Sequence, residues 1–149
     1  MRCMRAQTNA PVNLNFFVMN EAWSLVDLPG YGFAKVAKHL KFDFSLLIRD
    51  YLEQRKNLTC VFVLIDSRLP PQRIDLDFLQ WLEGCGVRFM LIFTKADKLS
   101  PGKARGNLDL FLEAVAQWRA APPEFIVTST KTGSGRVEVL RAIERLLAG

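Results

Sequence analysis

Apolar and polar positions change period in blocks along this chain of 149 residues. Residues 13–19 (NLNFFVM) and 22–27 (AWSLVD) read as two strands around a short Asn20-Glu21 turn, with Asp27 ending the second. A loop containing Gly, Pro and Lys spans residues 28–40. From about Phe42 to Lys56 the spacing turns helical, with Phe44, Leu47, Ile48, Tyr51 and Leu52 on one face. The run VFVLID (61–66) is continuously apolar and β-branched, which predicts a strand covered on both faces of a parallel sheet. Residues 72–83 are helical again through Ile74, Phe78, Leu79 and Leu82, and Gly84 and Gly86 stop that helix. VRFMLIFT (87–94) is the next buried strand, and Ser100-Pro101-Gly102 marks a loop. A helix over 103–119 turns Leu108, Phe111, Leu112 and Val115 inward and ends at Pro122-Pro123. EFIVTS (124–129) is the last strand, and Val137 to Leu147 the last helix, entered through a Gly-rich loop. Strands alternating with helices predict βαβ units, an α/β fold and a mostly parallel sheet, with the opening hairpin-like pair as the exception. Neither an internal repeat nor an obvious second domain interrupts the pattern.

Composition narrows the class. Half the residues are hydrophobic and 23% are charged, which fits a soluble globular domain with a core. No apolar run approaches the ~18–20 residues of a membrane span, and the basic start from Met1 to Gln7 lacks the apolar stretch of a signal peptide. Cys3, Cys60 and Cys85 have no metal-ligand spacing; Cys60 and Cys85 read as reduced residues in or near the core, which implies a reducing, cytoplasmic setting. A net charge of +5 is equally compatible with an anionic partner such as RNA and with ordinary solubility charge.

The candidate chemistry lies at strand ends. In open α/β sheets ligands bind beyond the carboxyl ends of the strands, and Asp27, Asp66, Thr94 to Asp97 and Thr128 to Thr130 all fall there. Asp27-Leu28-Pro29-Gly30 is a D-x-x-G loop. Its carboxylate can hold Mg²⁺ through water, and the Gly30 amide can approach a terminal phosphate because no side chain intervenes. Taken alone, D-x-x-G is a weak signal that reads first as a strand-to-loop turn with a solvated Asp. Thr94-Lys95-Ala96-Asp97 is a T-K-x-D loop. The Asp97 carboxylate can accept bonds from the N1–H and exocyclic amine of guanine, a donor pair that adenine lacks. The Lys95 stem can pack over a base plane. Thr128-Ser129-Thr130 is a weaker third loop, whose backbone amides can meet guanine O6 or simply begin a helix cap. Seventy residues separate Asp27 from Asp97, room for one helix–strand–helix–strand passage. Together the loops predict a guanine-nucleotide fold. His39, in a basic loop, reads as a surface residue, and Asp75 and Asp77 as a solvated helix face.

With these motifs in place, the sequence resembles the EngB (YihA/YsxC) family of bacterial GTPases. The residues that carry the resemblance are Asn15-Phe16-Phe17, LVDLPGYGFAKV (25–36), YLEQRKNL (51–58), LIDSRLPPQRIDLDFLQWL (64–82), FTKADKL (93–99) and TSTKTGSGR (128–136). It runs from about Asn13 to the C-terminus, setting a G domain over 13–149 apart from an atypical segment over 1–12. The resemblance implies a P-loop GTPase fold, binding of GTP or GDP with Mg²⁺ and slow hydrolysis. It also implies a cytoplasmic role in assembling the large ribosomal subunit, with rRNA as partner, and a link to cell division and septation. On it, Asp27 to Tyr31 form the γ-phosphate and Mg²⁺ switch, Thr94, Lys95, Ala96 and Asp97 read guanine, and Thr128 to Thr130 close over the base. Many small GTPases carry a water-orienting Gln just after the D-x-x-G glycine; Tyr31 stands there.

The chain departs from the family at its start. No G-x-x-x-x-G-K-[ST] loop occurs in the 149 residues, and the family's first strand, P-loop and first helix would precede residue 1. Pro11 stands where the switch-I Mg²⁺-binding Thr belongs. Two expectations follow: a fragment with a misplaced start, or a truncated, degenerate copy. The sheet then either opens a gap or brings two other strands together. The competing functional reading is a nucleotide-free RNA- or ribosome-binding module. The basic loop from Lys35 to Lys41 is a candidate for a ribosomal contact, or a solvated loop.

Overall fold

The computed structural model describes residues 3–6, 15–28, 51–52 and 54–149. The chain forms two units, Met1–Arg55 and Lys56–Gly149.

In the first unit, β1 (Cys3–Ala6), β2 (Asn15–Met19) and β3 (Trp23–Asp27) form an antiparallel sheet in the order β1-β2-β3. The β2–β3 hairpin is the one the sequence predicts. Asn20 and Glu21 both take positive φ (50° and 57°), and the Ala22 amide donates to the Met19 carbonyl at 3.0 Å. This is the twist that a tight hairpin needs. The strand β1 is an addition to the sequence reading; it pairs Cys3 with Met19 and Ala6 with Phe16. Tyr51, Leu52 and Gln54 are helical; the rest of the helix expected from Phe42 lies outside the described residues. The Arg55 guanidinium sits 5.0 Å from the Phe16 ring centre and 4.8 Å from that of Tyr51.

The second unit is an α/β layer structure. Its strands β4 (Val61–Asp66), β5 (Phe89–Thr94) and β6 (Phe125–Val127) are parallel in the order β4-β5-β6. Helices α1 (Arg73–Gly84), α2 (Pro101–Ala116) and α3 (Arg136–Leu147) alternate with them. Register pairs Asp66 with Thr94, so the two strand ends that carry candidate chemistry lie side by side. Side chains alternate across β5, whose first five residues are all buried. Met90 and Ile92 pack with Ala142 of α3 on one face. On the other, the Phe93 ring meets Phe111 of α2 edge-on at 5.4 Å. Leu79 and Leu82 of α1 are fully buried.

Several boundaries differ from the sequence reading for local reasons. Pro101 and Gly102 belong to α2, because the missing Pro N–H costs nothing in a first helical turn. Gly84 is the last residue of α1, and Gly86 is its stop. At φ +67° Gly86 donates to the Glu83 carbonyl while the Val87 amide donates to that of Leu82, a Schellman cap. β6 ends at Val127, which leaves Thr128 to Thr130 as loop. Ile74, one of the apolar residues that mark α1, is exposed, and so is Cys85, expected in or near the core, while Cys60 is half-buried. β4 is not covered on both faces: Leu64 is 64% exposed between buried Val63 and Ile65. β3 and β4 belong to different sheets. Among the described residues no helix is long and apolar enough to cross a membrane.

Candidate functional site

The carboxyl ends of β4, β5 and β6 surround a cleft of about 390 Å³. Leu64, Asp66, Thr94, Lys95, Thr128 and Thr130 line it. Two of the three candidate loops predicted from sequence therefore converge on one opening.

Backbone bonds between strand ends fix the loops. The Thr94 hydroxyl donates to the Ile65 carbonyl at 3.1 Å, and the Ser67 amide donates to the Thr94 carbonyl at 3.1 Å. Thr128 closes the other side, with its amide and its hydroxyl both donating to the Phe93 carbonyl, at 2.7 and 3.2 Å. The Ala96 amide returns to the Thr128 carbonyl at 3.2 Å. Between these anchors Lys95 takes the left-handed conformation (φ 60°), and Ala96–Lys98 form one 3₁₀ turn.

That turn aims Asp97 at the loop after β6. Ser129, itself buried, donates its hydroxyl to Asp97 Oδ1 at 2.6 Å and accepts the Thr132 amide at 3.2 Å. The hydroxyl bond, with smaller help from the Lys98 and Lys131 charges and against the opposing effect of burial, holds the Asp97 carboxyl below the ordinary carboxylate range. Asp97 Oδ2 is buried without a hydrogen-bond partner; the Lys98 ammonium at 3.9 Å is too distant to donate to it. An ionised oxygen kept from water with no donor is costly and is ready for one.

Asp66 is the opposite case. It accepts the Arg68 amide at 3.1 Å, a guanidinium fork from Arg68 at 2.9 and 2.7 Å, and the Lys95 ammonium at 2.8 Å. The Arg68 side chain first, then Lys95, hold its carboxyl far below the usual range. Sequence placed Asp66 at a strand end but did not foresee its partners. The Arg68 half was legible, since an Asp bonding the amide two residues on is an Asx turn. Two further structural residues escaped the sequence reading. Asn107 of α2 donates to the Ser67 carbonyl at 2.9 Å. Gly135, at φ +77°, lies where a Cβ would come within 2.3 Å of the Val127 carbonyl oxygen.

The D-x-x-G loop belongs to the other unit. Asp27 ends β3, is exposed, and accepts the Asn15 side-chain amide Nδ2 at 3.2 Å through Oδ2; Leu28 beside it is half-buried. Pro29, Gly30 and Tyr31, the loop from Lys35 to Lys41 and His39 lie outside the described residues. Among the described residues no three His, Cys, Asp or Glu side chains gather as a metal site. A single exposed carboxylate fits Mg²⁺ held through water and does not fit an all-protein cage.

No protein-family model matches the chain. It is 45% identical over 134 residues to the probable GTP-binding protein EngB of Bacteroides thetaiotaomicron, covering 89% of this chain and 66% of that protein. The same-named protein of Bacteroides fragilis (strain ATCC 25285) is 47% identical, with the same coverages. That of Flavobacterium johnsoniae is 42% identical, with 89% of this chain and 64% of that protein covered. The chain thus spans just under two thirds of the length of these relatives. A crystal structure of a probable GTP-binding protein EngB superposes with TM-score 0.68 at 19% identity, over 84% of this chain and 78% of that one. Apo elongation factor SelB of Methanococcus maripaludis superposes with TM-score 0.65 at 16% identity, over 85% and 25% of the two chains. At such identities the likeness is one of fold, the α/β fold of P-loop GTPases.

Proposed function

From the premise that the chain belongs to the EngB family of GTP-binding proteins, we propose that its second unit reads the guanine base of a nucleotide. The observation that carries this reading is the buried, unpartnered Asp97 Oδ2. Guanine presents two donors on one edge, N1–H and the exocyclic amine. Asp97 accepts both once Ser129 has fixed its other oxygen. Adenine offers an acceptor at N1, so the buried oxygen would stay unpaired against it, which is the strong form of discrimination.

The remaining loop residues divide the work. The Thr128 and Ser129 amides are engaged by the Phe93 and Ser134 carbonyls, which leaves the Thr130 amide for guanine O6. The Lys95 stem and exposed Leu64 supply apolar surface for the base plane. Thr94 acts through its hydroxyl, which donates to the Ile65 carbonyl and joins the ends of β4 and β5. Asp27 would hold Mg²⁺ through water, and Leu28 to Tyr31 would meet the terminal phosphate. There the ion would neutralise phosphate charge. We extend the proposal to assembly of the large ribosomal subunit, and through it to cell division and septation. The family resemblance supports that role, and a net charge of +5 suits an rRNA partner.

The test is a titration of the ¹⁵N-labelled chain with GDP and, separately, ADP. GDP is expected to shift the amides of Thr94 to Asp97 and Thr128 to Thr130, ADP to leave them in place, and Asp97→Ala to abolish the GDP response. Equal shifts with both nucleotides, or none, would refute base reading.

A further inference from the structure

Lys95 reaches from the end of β5 back to the end of β4, and its ammonium rests on Asp66 Oδ2 at 2.8 Å. A lysine side chain has four rotatable carbons and gains little from lying still on a surface. Here both of its ends are fixed. The backbone is held in the left-handed region at φ 60°, between the Ala96 amide bond to Thr128 and the Lys98 amide bond to the Lys95 carbonyl at 3.0 Å. The tip is held by a carboxylate that cannot drift. Asp66 ends a paired strand, its side chain is 19% exposed, and the Arg68 amide and guanidinium grip both its oxygens. With those bonds made, the Asp66 oxygens are saturated and have little left to offer a ligand of their own. The stem between the two anchors borders the cleft beside Thr94, Thr128 and Thr130.

We propose that Asp66 is a positioning residue, which pins the Lys95 ammonium so that the lysine stem stands as a fixed wall of the cleft for a purine face. Arg68 acts one step further out, by holding Asp66. The proposal rests on the guanine reading above and adds to it the residue that orders its lysine. Without Asp66 the stem becomes mobile, and a base must order it on binding, which costs affinity.

The experiment compares Asp66→Asn, Lys95→Met and the double variant with the parent chain. Circular dichroism first checks that each is folded. Without ligand, the Lys95 side-chain methylene resonances are expected to be dispersed in the parent and to collapse toward free-lysine values in Asp66→Asn. With GDP, each single variant is expected to bind about tenfold more weakly. The double variant is expected to bind no more weakly than Lys95→Met alone, because both changes remove one interaction. Unchanged Lys95 resonances in Asp66→Asn would overturn the proposal, as would losses that multiply in the double variant. A parent chain with dispersed Lys95 resonances but no GDP response refutes the guanine reading instead, and the resonances alone then decide the role of Asp66.

Discussion

Ser129 donates its hydroxyl hydrogen to Asp97 across 2.6 Å, joining two loops 32 residues apart. The bond sets which Asp97 oxygen is engaged and which is buried without a partner. It also ties the loop after β6 to itself, because the same hydroxyl accepts the Thr132 amide.

Ser129→Ala should therefore lower both stability and the proposed base reading. The change leaves a second Asp97 oxygen and the Thr132 amide without that partner in a part-buried setting. We expect a loss of stability, read as a lower urea midpoint with an unchanged slope. GDP shifts at Thr94 to Asp97 should weaken while the variant stays folded. An unaltered midpoint would show that the hydroxyl bond contributes nothing.

The loop after β6 also depends on a backbone that only glycine can supply. At Gly135, φ is +77°, and an added Cβ would lie 2.3 Å from the Val127 carbonyl oxygen and 2.8 Å from Thr128 Cγ2. Neither neighbour can yield without moving the end of β6. Gly133 has the same φ but open space around it. Gly133→Ala should cost about 1 kcal/mol from conformation alone, and Gly135→Ala distinctly more. Equal denaturation midpoints for the two variants would rule out the steric argument.

How much of this was legible beforehand depends on the range of the interaction. β4 is read from the six consecutive residues Val61–Asp66, apolar up to the aspartate that ends the strand, and α1 from the helical spacing of Phe78, Leu79 and Leu82. Both signals are local. The T-K-x-D loop was legible as a motif, since the chemistry requires those residue types. The pairs Lys95–Asp66 and Ser129–Asp97 span 29 and 32 residues, and no local pattern encodes which of several polar loop residues meet. Leu64 was misread for a related reason. A run of apolar residues states that a strand suits burial, but only its neighbours decide whether a covering helix is present. β1 was missed because CMRA alternates neither in charge nor in size enough to separate it from a loop.

Acid should reveal the Asp66 cluster. Arg68 hydrogen bonds and then Lys95 lower the folded-state pKa of Asp66 below its unfolded value, which is about 3.9. A lowered carboxyl stabilises the fold above the unfolded pKa and loses that contribution as pH falls from there toward the folded value. Asp66→Asn removes the titration. The gap in urea midpoint between parent and variant should hold steady from neutral pH to about pH 5 and shrink below about pH 4. A gap that persists unchanged to pH 2.5 would assign the stability difference to something other than the ionised carboxylate.

The last prediction concerns phosphate. A P-loop binds phosphate through a nest of backbone amides and a lysine, and no G-x-x-x-x-G-K-[ST] sequence occurs in these 149 residues. The residues proposed above to read the base all lie in the second unit, between Leu64 and Thr130. For the 149-residue chain, base contacts should then dominate the binding energy. Guanosine, GDP and GTP are expected to bind with affinities within about tenfold of one another, a difference of only about 1.4 kcal/mol. All three should bind far more weakly than GTP binds a family member that carries the P-loop. Competition against a fluorescent guanine nucleotide measures each affinity directly. Micromolar binding of GTP by the purified chain, with guanosine failing to compete, would show that these residues hold phosphate after all.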